Sequence, residues 1–186
     1  MRRRHFMLLI AAAPLVMTVA RRSSPAWSAN AASDKSLESI RKSWKSLLAR
    51  DAKVDLSTEP IRKSKAEWKQ ILNDAQFYVL REEGTERPFS SPLNNEKRPG
   101  VYACAGCALP LFTSQMKFDS GTGWPSFFTH IPGYLGTKQD FKLIVPRTEY
   151  HCIRCGGHHG HVFDDGPPPT SQRWCNNGVA LKFIPA

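Results

Sequence analysis

Two C-x-x-C pairs, Cys104-Ala105-Gly106-Cys107 and Cys152-Ile153-Arg154-Cys155, are separated by 44 residues. A fifth cysteine, Cys175, stands alone near the C-terminus in QRWCNNGVALKF. A C-x-x-C turn aims two thiolates at one point, so two such turns can close a tetrahedral four-sulfur site around a single zinc ion. Gly106 and Gly156 are expected to supply the backbone freedom of these knuckles. Such a site is structural, because four protein ligands leave no position open for water. The rival readings are weaker. A C-x-x-C loop is too tight to be a common structural disulfide, and a thioredoxin-like redox pair belongs in a βαβ context that neither run offers.

Cys175 needs another explanation. A lone cysteine is more often a small buried hydrophobe than a nucleophile. It has company in the sequence, however: FDSGTGWPSFF from Phe118, RTEYHC from Arg147 and GGHHGHVFDDGPPPT from Gly156. Cationic neighbours favour a thiolate, and an acid can protonate a leaving oxygen, so Cys, His and Arg together supply what a reactive thiol requires. Each histidine also has a plainer use, as a turn residue or as a prop for the zinc knuckle, and Trp124 in its Gly-Trp-Pro turn could simply cap the core.

These residues must be held by short elements. From about residue 100, Gly, Pro, Asn and Ser punctuate runs such as VYACAGC, KLIVP, EYHCIRC and VALKFI, the pattern of short antiparallel strands. Upstream, Leu37, Ile40, Trp44, Leu47 and Leu48 share one helical face over residues 36–49. Ser64-Lys65-Ala66-Glu67 reads as a capping box opening a helix that buries Trp68, Ile71 and Leu72, and a second helix over residues 75–83 should stop at Gly84. The chain is thus expected to be mainly β, with N-terminal helices: a targeting segment 1–31, a helical extension and linker 32–60, and a catalytic or binding body 61–186.

The segments CAGC, KFDSGTGWPSF, RTE, CGGHHGHVFDDGPPPT and RWCNNGVALKF, with GTERPFSSPLNNEKRPG ahead of them, resemble in order the signatures of methionine sulfoxide reductase B, over residues 60–184. The resemblance implies two small antiparallel sheets, a zinc site formed by the four cysteines Cys104, Cys107, Cys152 and Cys155 away from the active site, and reduction of methionine-R-sulfoxide, free or in proteins. It implies that Cys175 attacks the sulfoxide sulfur and is left as a sulfenic acid, a state that thiols reverse. His158 and His161 would surround the sulfoxide oxygen, with His161 the proton donor. Asn177 would hydrogen-bond in the same pocket, Arg173 would keep the cysteine region electropositive, and Trp124 would pack on the substrate methyl group. One apolar and one hydrogen-bonding wall would select between epimers at sulfur.

The departures from that family are informative. Many members carry cysteine at the second position of SGxGWPSF, to resolve the sulfenic acid as a disulfide; here it is Thr122. If the paired cysteines hold zinc, no other thiol remains, and a thioredoxin, a glutaredoxin or a small thiol must act directly on Cys175. Trp174 replaces a usual tyrosine, keeping an aromatic wall without its hydroxyl. His159 stands where leucine is common, and Gly178 where serine is.

Composition bounds the rest. At 41% hydrophobic and 23% charged, 186 residues suit one globular domain with an extension. The net charge of +10 is concentrated upstream: residues 1–70 carry 15 Lys/Arg against 6 Asp/Glu, leaving residues 71–186 at +1. The motif-bearing part therefore lacks the basic surface of a nucleic-acid binder. MRRRHFMLLIAAAPLVMTVA joins a basic start to an apolar run too short for a comfortable membrane span, and Ala29-Asn30-Ala31 fits a cleavage site. Arg3-Arg4 fits a twin-arginine signal, hence export to the periplasm and no span in the mature protein. The absence of acid from the first 33 residues also fits a mitochondrial or plastid address. Outside catalysis, the alternatives are a zinc-knuckle binding module and a degenerate sensor that holds oxidised methionine without reducing it; the intact GWPSF and GHVFDDGP segments weigh against a mere knuckle.

Overall fold

Two antiparallel sheets organise the protein, in a computed structural model that describes residues 36–142 and 145–186. The expected targeting segment, 1–31, lies outside the described residues. A helix occupies residues 36–42 (α1) and tightens into a 3-10 turn at Ser43–Leu47, so the expected amphipathic helix changes pitch midway. The change seats Trp44, which is buried and meets Tyr134 edge-on at 6.0 Å. Arg41 Nε donates to Thr129 Oγ1 beside it.

The segment after α1 is tied to both cysteine turns. Asp55 N–H donates to the Ala108 carbonyl, Ile61 N–H donates to the Arg154 carbonyl, and Arg154 pairs with Asp55 at 2.6 Å. This N-terminal strap covers core, so Trp44→Ala is expected to lower the unfolding free energy by about 3 kcal/mol, the cost of removing a large buried aromatic, read from urea unfolding.

Helix α2 (Lys65–Ile71) opens on the predicted capping box: Ser64 accepts from Glu67 N–H, and Glu67 returns a bond to Ser64 N–H. Trp68 and Leu72 are buried as expected. Ile71 is not: it is 53% exposed, because the helix ends at this residue and Leu72 turns inward in extended conformation. Helix α3 (Asp74–Glu82) has its own capping box, Asn73 with Gln76. It stops at Glu83, one residue before the expected Gly84, and Glu83 takes the left-handed conformation.

The smaller sheet has the order β2-β1-β9, from β1 (Gly100–Cys104), β2 (Pro110–Thr113) and β9 (Leu181–Pro185). The larger has the order β3-β4-β8-β7-β6-β5, from β3 (Lys117–Phe118), β4 (Ser126–Phe127), β5 (Leu135–Asp140), β6 (Arg147–Cys152), β7 (His158–Phe163) and β8 (Arg173–Asn176). Phe112 of β2 stacks on Phe127 of β4 at 4.1 Å, and Tyr150 of β6 meets Phe112 edge-on, which joins the two sheets through an aromatic core. No helix among the described residues is long and apolar enough to cross a membrane.

Candidate functional site

The cysteine turns hang from the ends of β1 and β6, one from each sheet. Cys104 Sγ lies 3.6 Å from Cys155 Sγ, Cys107 Sγ lies 3.5 Å from Cys152 Sγ, and all four sulfurs fall within 4.8 Å of one another. None is in a disulfide. A tetrahedron with metal–sulfur bonds of about 2.3 Å has edges of roughly 3.8 Å, so these thiols can hold one metal ion. The residue of left-handed backbone is the one after the second cysteine of each turn, Ala108 and Gly156. The freedom assigned to Gly106 in the sequence is not used, and Ala108 takes the strained place. Arg81 donates to the Cys155 carbonyl at 2.7 Å while its guanidinium lies 3.9 Å over Trp68, which puts a cation beside the sulfur cluster.

The second centre is built by cross-strand register. His161 of β7 lies directly opposite Cys175 of β8 and opposite Glu149 of β6, and Ser126 of β4 faces Cys175 from the other side. Directly opposed residues of antiparallel strands project from one face, so Glu149, His161, Cys175 and Ser126 form a row across it. Gly160 permits this closeness: a Cβ there would stand 1.9 Å from the Cys175 carbonyl oxygen.

Strict alternation along β7 would place His159 with His161 and send His158 to the opposite face. A bulge reverses this. Tyr150 pairs with Gly160 and His151 with His158, so His159 is the extra residue. His158 therefore joins His161, with ring centroids 5.4 Å apart, while His159 points into the core, its Nε2 3.4 Å from Cys104 Sγ.

Carboxylates hold the three histidines of this face. His158 Nδ1–H donates to Glu149 at 2.7 Å, and His151 Nδ1–H donates to the other oxygen at 3.1 Å. Burial alone would raise the Glu149 carboxyl; the two histidines outweigh it and hold the pKa at about 2. His161 Nε2–H donates to Asp140 Oδ2 at 2.7 Å, and Arg147 reaches the same oxygen at 2.6 Å. The Lys142 backbone N–H, on Oδ1, is the largest of several contacts that keep Asp140 well below the usual carboxylate range. Burial lowers the His161 pKa and Asp140 partly restores it; among the described residues the ring is hydrogen-bonded through Nε2 only.

Cys175 lies in a cavity of about 160 Å³. Trp124 and Phe163 supply its aromatic wall, His161, Arg147 and Asn177 its polar one, and none of the four paired cysteines lines it. Burial pushes the Cys175 thiol up, against Arg173 and Thr122, which favour the thiolate. Arg173 is partly occupied elsewhere: it grips Asp165 with two nitrogens at 2.8 and 2.9 Å and lies 4.3 Å over Phe163.

Three expectations read differently in the fold. His158 does not line the Cys175 cavity; it lines an adjoining one of about 360 Å³ shared with Arg147 and His161. Asn177 does line it, but its amide is engaged, accepting from Glu86 N–H and donating to the His159 carbonyl, so it braces the cavity. Trp174 is no pocket wall: alternation on β8 turns it inward, where it is buried against Tyr150. Asp140, Glu149, Phe163 and Glu86 had no assigned role. Glu86 accepts from the Gly178 and Val179 N–H groups while its carbonyl receives the Trp124 indole N–H at 3.1 Å, which pins the aromatic wall to the turn after β8.

Comparison with known proteins places this geometry. A family profile described as the SelR domain matches residues 72–185. The peptide methionine sulfoxide reductase MsrB of Agrobacterium fabrum is 48% identical over 132 residues, covering 70% of this chain and 98% of the relative. The protein of the same name from Methanosarcina barkeri is 49% identical over 129 residues, covering 69% and 91%. The chloroplastic peptide methionine sulfoxide reductase B1 of Arabidopsis thaliana is 52% identical over 121 residues, covering 64% of this chain and 60% of its own length.

Proposed function

Since this chain belongs to the SelR-domain family, the B-type methionine sulfoxide reductases, we propose that it reduces methionine-R-sulfoxide, free or in oxidised proteins, to methionine with Cys175 as its single catalytic thiol. The observation that carries the reading is Cys175 aligned across the strands with a carboxylate-held His161, in a cavity with one aromatic and one polar wall.

Cys175 Sγ, as thiolate, attacks the sulfoxide sulfur while His161 Nδ1–H, with Asp140 behind the ring, protonates the oxygen. The methionine sulfur–oxygen bond breaks and the oxygen ends on Cys175, so Cys–SH and sulfoxide become Cys–SOH and thioether. Two electrons pass from the cysteine sulfur to the methionine sulfur. A thiol then attacks Cys175 Sγ, releasing water and leaving a mixed disulfide, and a second thiol frees Cys175. With Thr122 where a resolving cysteine would stand, those thiols come from outside: a thioredoxin, a glutaredoxin or a small thiol. Trp124 and Phe163 hold the methyl group and the polar wall holds the oxygen, which distinguishes the R from the S epimer.

Cys104, Cys107, Cys152 and Cys155 would hold one structural zinc, which supplies a cross-link and no chemistry. Repair of oxidised proteins under oxidative stress is the corresponding role. The twin-arginine-like start supports a periplasmic site of action, with an organelle as the alternative.

The reading is tested by a single turnover without reductant: excess racemic methionine sulfoxide is mixed with the protein and methionine is counted. About one equivalent per chain is expected, drawn from the R epimer alone and absent in Cys175→Ser. Sulfoxide that binds without yielding methionine would instead make the protein a sensor, and neither binding nor turnover would leave a zinc-knuckle module.

A further inference from the structure

Of the three histidines on β7, His159 is the one that the chemistry at Cys175 leaves unused. It is the extra residue of the bulge, and its inward ring sets Nε2 3.4 Å from Cys104 Sγ, within hydrogen-bond reach of sulfur. Neither residue meets solvent: His159 is 0% exposed and Cys104 1%. Among the described residues, no other side-chain nitrogen is hydrogen-bonded to any of the four paired sulfurs.

The surroundings decide which ring nitrogen carries the proton. Nδ1 is buried and has no hydrogen-bond partner among the described residues. Cys104, as the thiolate ligand of a metal, has lone pairs and no proton to give. A proton on Nδ1 would bury an N–H without an acceptor and set the bare Nε2 against the thiolate, lone pair to lone pair. A proton on Nε2 closes a hydrogen bond to the sulfur. It leaves a bare lone pair at Nδ1, the less costly group to bury unpaired. A metal-loaded site therefore selects the Nε2–H form.

The site also needs such a donor. Four thiolates around one divalent ion leave negative charge uncompensated, and three of the four cysteines are buried. Buried charge is tolerated where donors and cations are aimed at it. Arg81 serves the second knuckle, through the Cys155 carbonyl. His159 serves the first, at the Cys104 sulfur itself.

We propose that His159 is a positioning residue of the zinc site, whose Nε2–H donates to the Cys104 thiolate, orients that sulfur and tightens its hold on the metal. A charge-assisted hydrogen bond stabilises the ligand as the anion that binds zinc. The leucine common at this place in the family would fill the core and give Cys104 no donor.

This role rests on the four cysteines holding zinc, and its test separates the two. Metal titration of the reduced full chain comes first: a chain that takes up no zinc loses the metal site, and this role with it. In the zinc-loaded protein, a long-range proton–nitrogen NMR spectrum should show the His159 proton on Nε2 and none on Nδ1. Exchange of zinc for cadmium-113 should add a coupling between that proton and the metal, carried through the Cys104 sulfur. His159→Leu keeps the core apolar; it should weaken zinc binding about tenfold in competition with a chromogenic chelator at pH 7. His159→Gln, whose amide reaches about as far as Nε2, should restore most of that loss. Thermal unfolding of the loaded variants checks their folding. A proton on Nδ1, a proton without coupling to cadmium, or unchanged affinity in His159→Leu would overturn the role. Equal losses in His159→Leu and His159→Gln would overturn it too, leaving His159 to packing alone. None of these readouts uses sulfoxide, so a failed single turnover would remove the reductase reading and leave this role standing.

Discussion

Removing the metal, or replacing Cys152 by serine, is expected to abolish cooperative folding rather than merely slow the enzyme. Cys104 terminates β1 in the smaller sheet and Cys152 terminates β6 in the larger, so one ion would fasten the two sheets where their strands end. Three of the four cysteines are buried, and without a metal their sulfurs would crowd at 3.5–3.6 Å with Arg81 unneutralised beside them. Structural zinc sites of this kind contribute roughly 10–16 kcal/mol at neutral pH, whereas whole domains are stable by only about 5–15 kcal/mol. A metal held here would therefore contribute as much as the net stability of a whole domain. Metal analysis should return one zinc per chain, and the circular dichroism transition in urea should vanish on chelation. A metal-free protein with an unchanged, cooperative transition would refute the cross-link.

The chemistry-bearing residues were more legible than the devices that aim them. Cys175 and the paired cysteines stand out because residue type and spacing are local properties. The Ser64–Glu67 capping box was equally plain, being complete within four residues. The partner of His161 was not: Asp140 is 21 residues away on another strand, and only the pairing of β5, β6 and β7 brings it near. The bulge at His159 was hidden for the same reason, since the extra residue exists only relative to a partner strand. Without it, period-two alternation misassigns both His158 and His159. Ile71 failed in a different way. Its helical spacing points inward, but a seven-residue helix ended before the next turn could cover it.

Asp140→Asn should cost about a hundredfold in turnover and should displace one limb of the pH profile. The proposed attack would need Cys175 as thiolate and His161 as imidazolium. Burial works against both, raising the cysteine and lowering the histidine, so neutral thiol and neutral imidazole predominate between their two pKa values. On the proposed mechanism only the minor form with the proton on His161 would be active. Its share across that plateau is set by the gap between the two pKa values, and the acidic limb of the profile reports His161 while the alkaline limb reports Cys175. Asp140 raises the His161 pKa and so narrows the gap. Asparagine cannot replace it: one aspartate oxygen accepts from Lys142 N–H and the other from both His161 and Arg147, so either orientation of the amide turns its NH₂ toward a donor. Loss of the charge lowers the His161 pKa further. The plateau then falls and the acidic limb moves to lower pH, while the alkaline limb stays where Cys175 puts it. kcat/KM measured from about pH 5 to 10 would show this as a drop in height with one limb displaced. A drop with both limbs in place would make Asp140 a brace for Arg147 alone, and an unchanged rate would remove His161 from proton transfer.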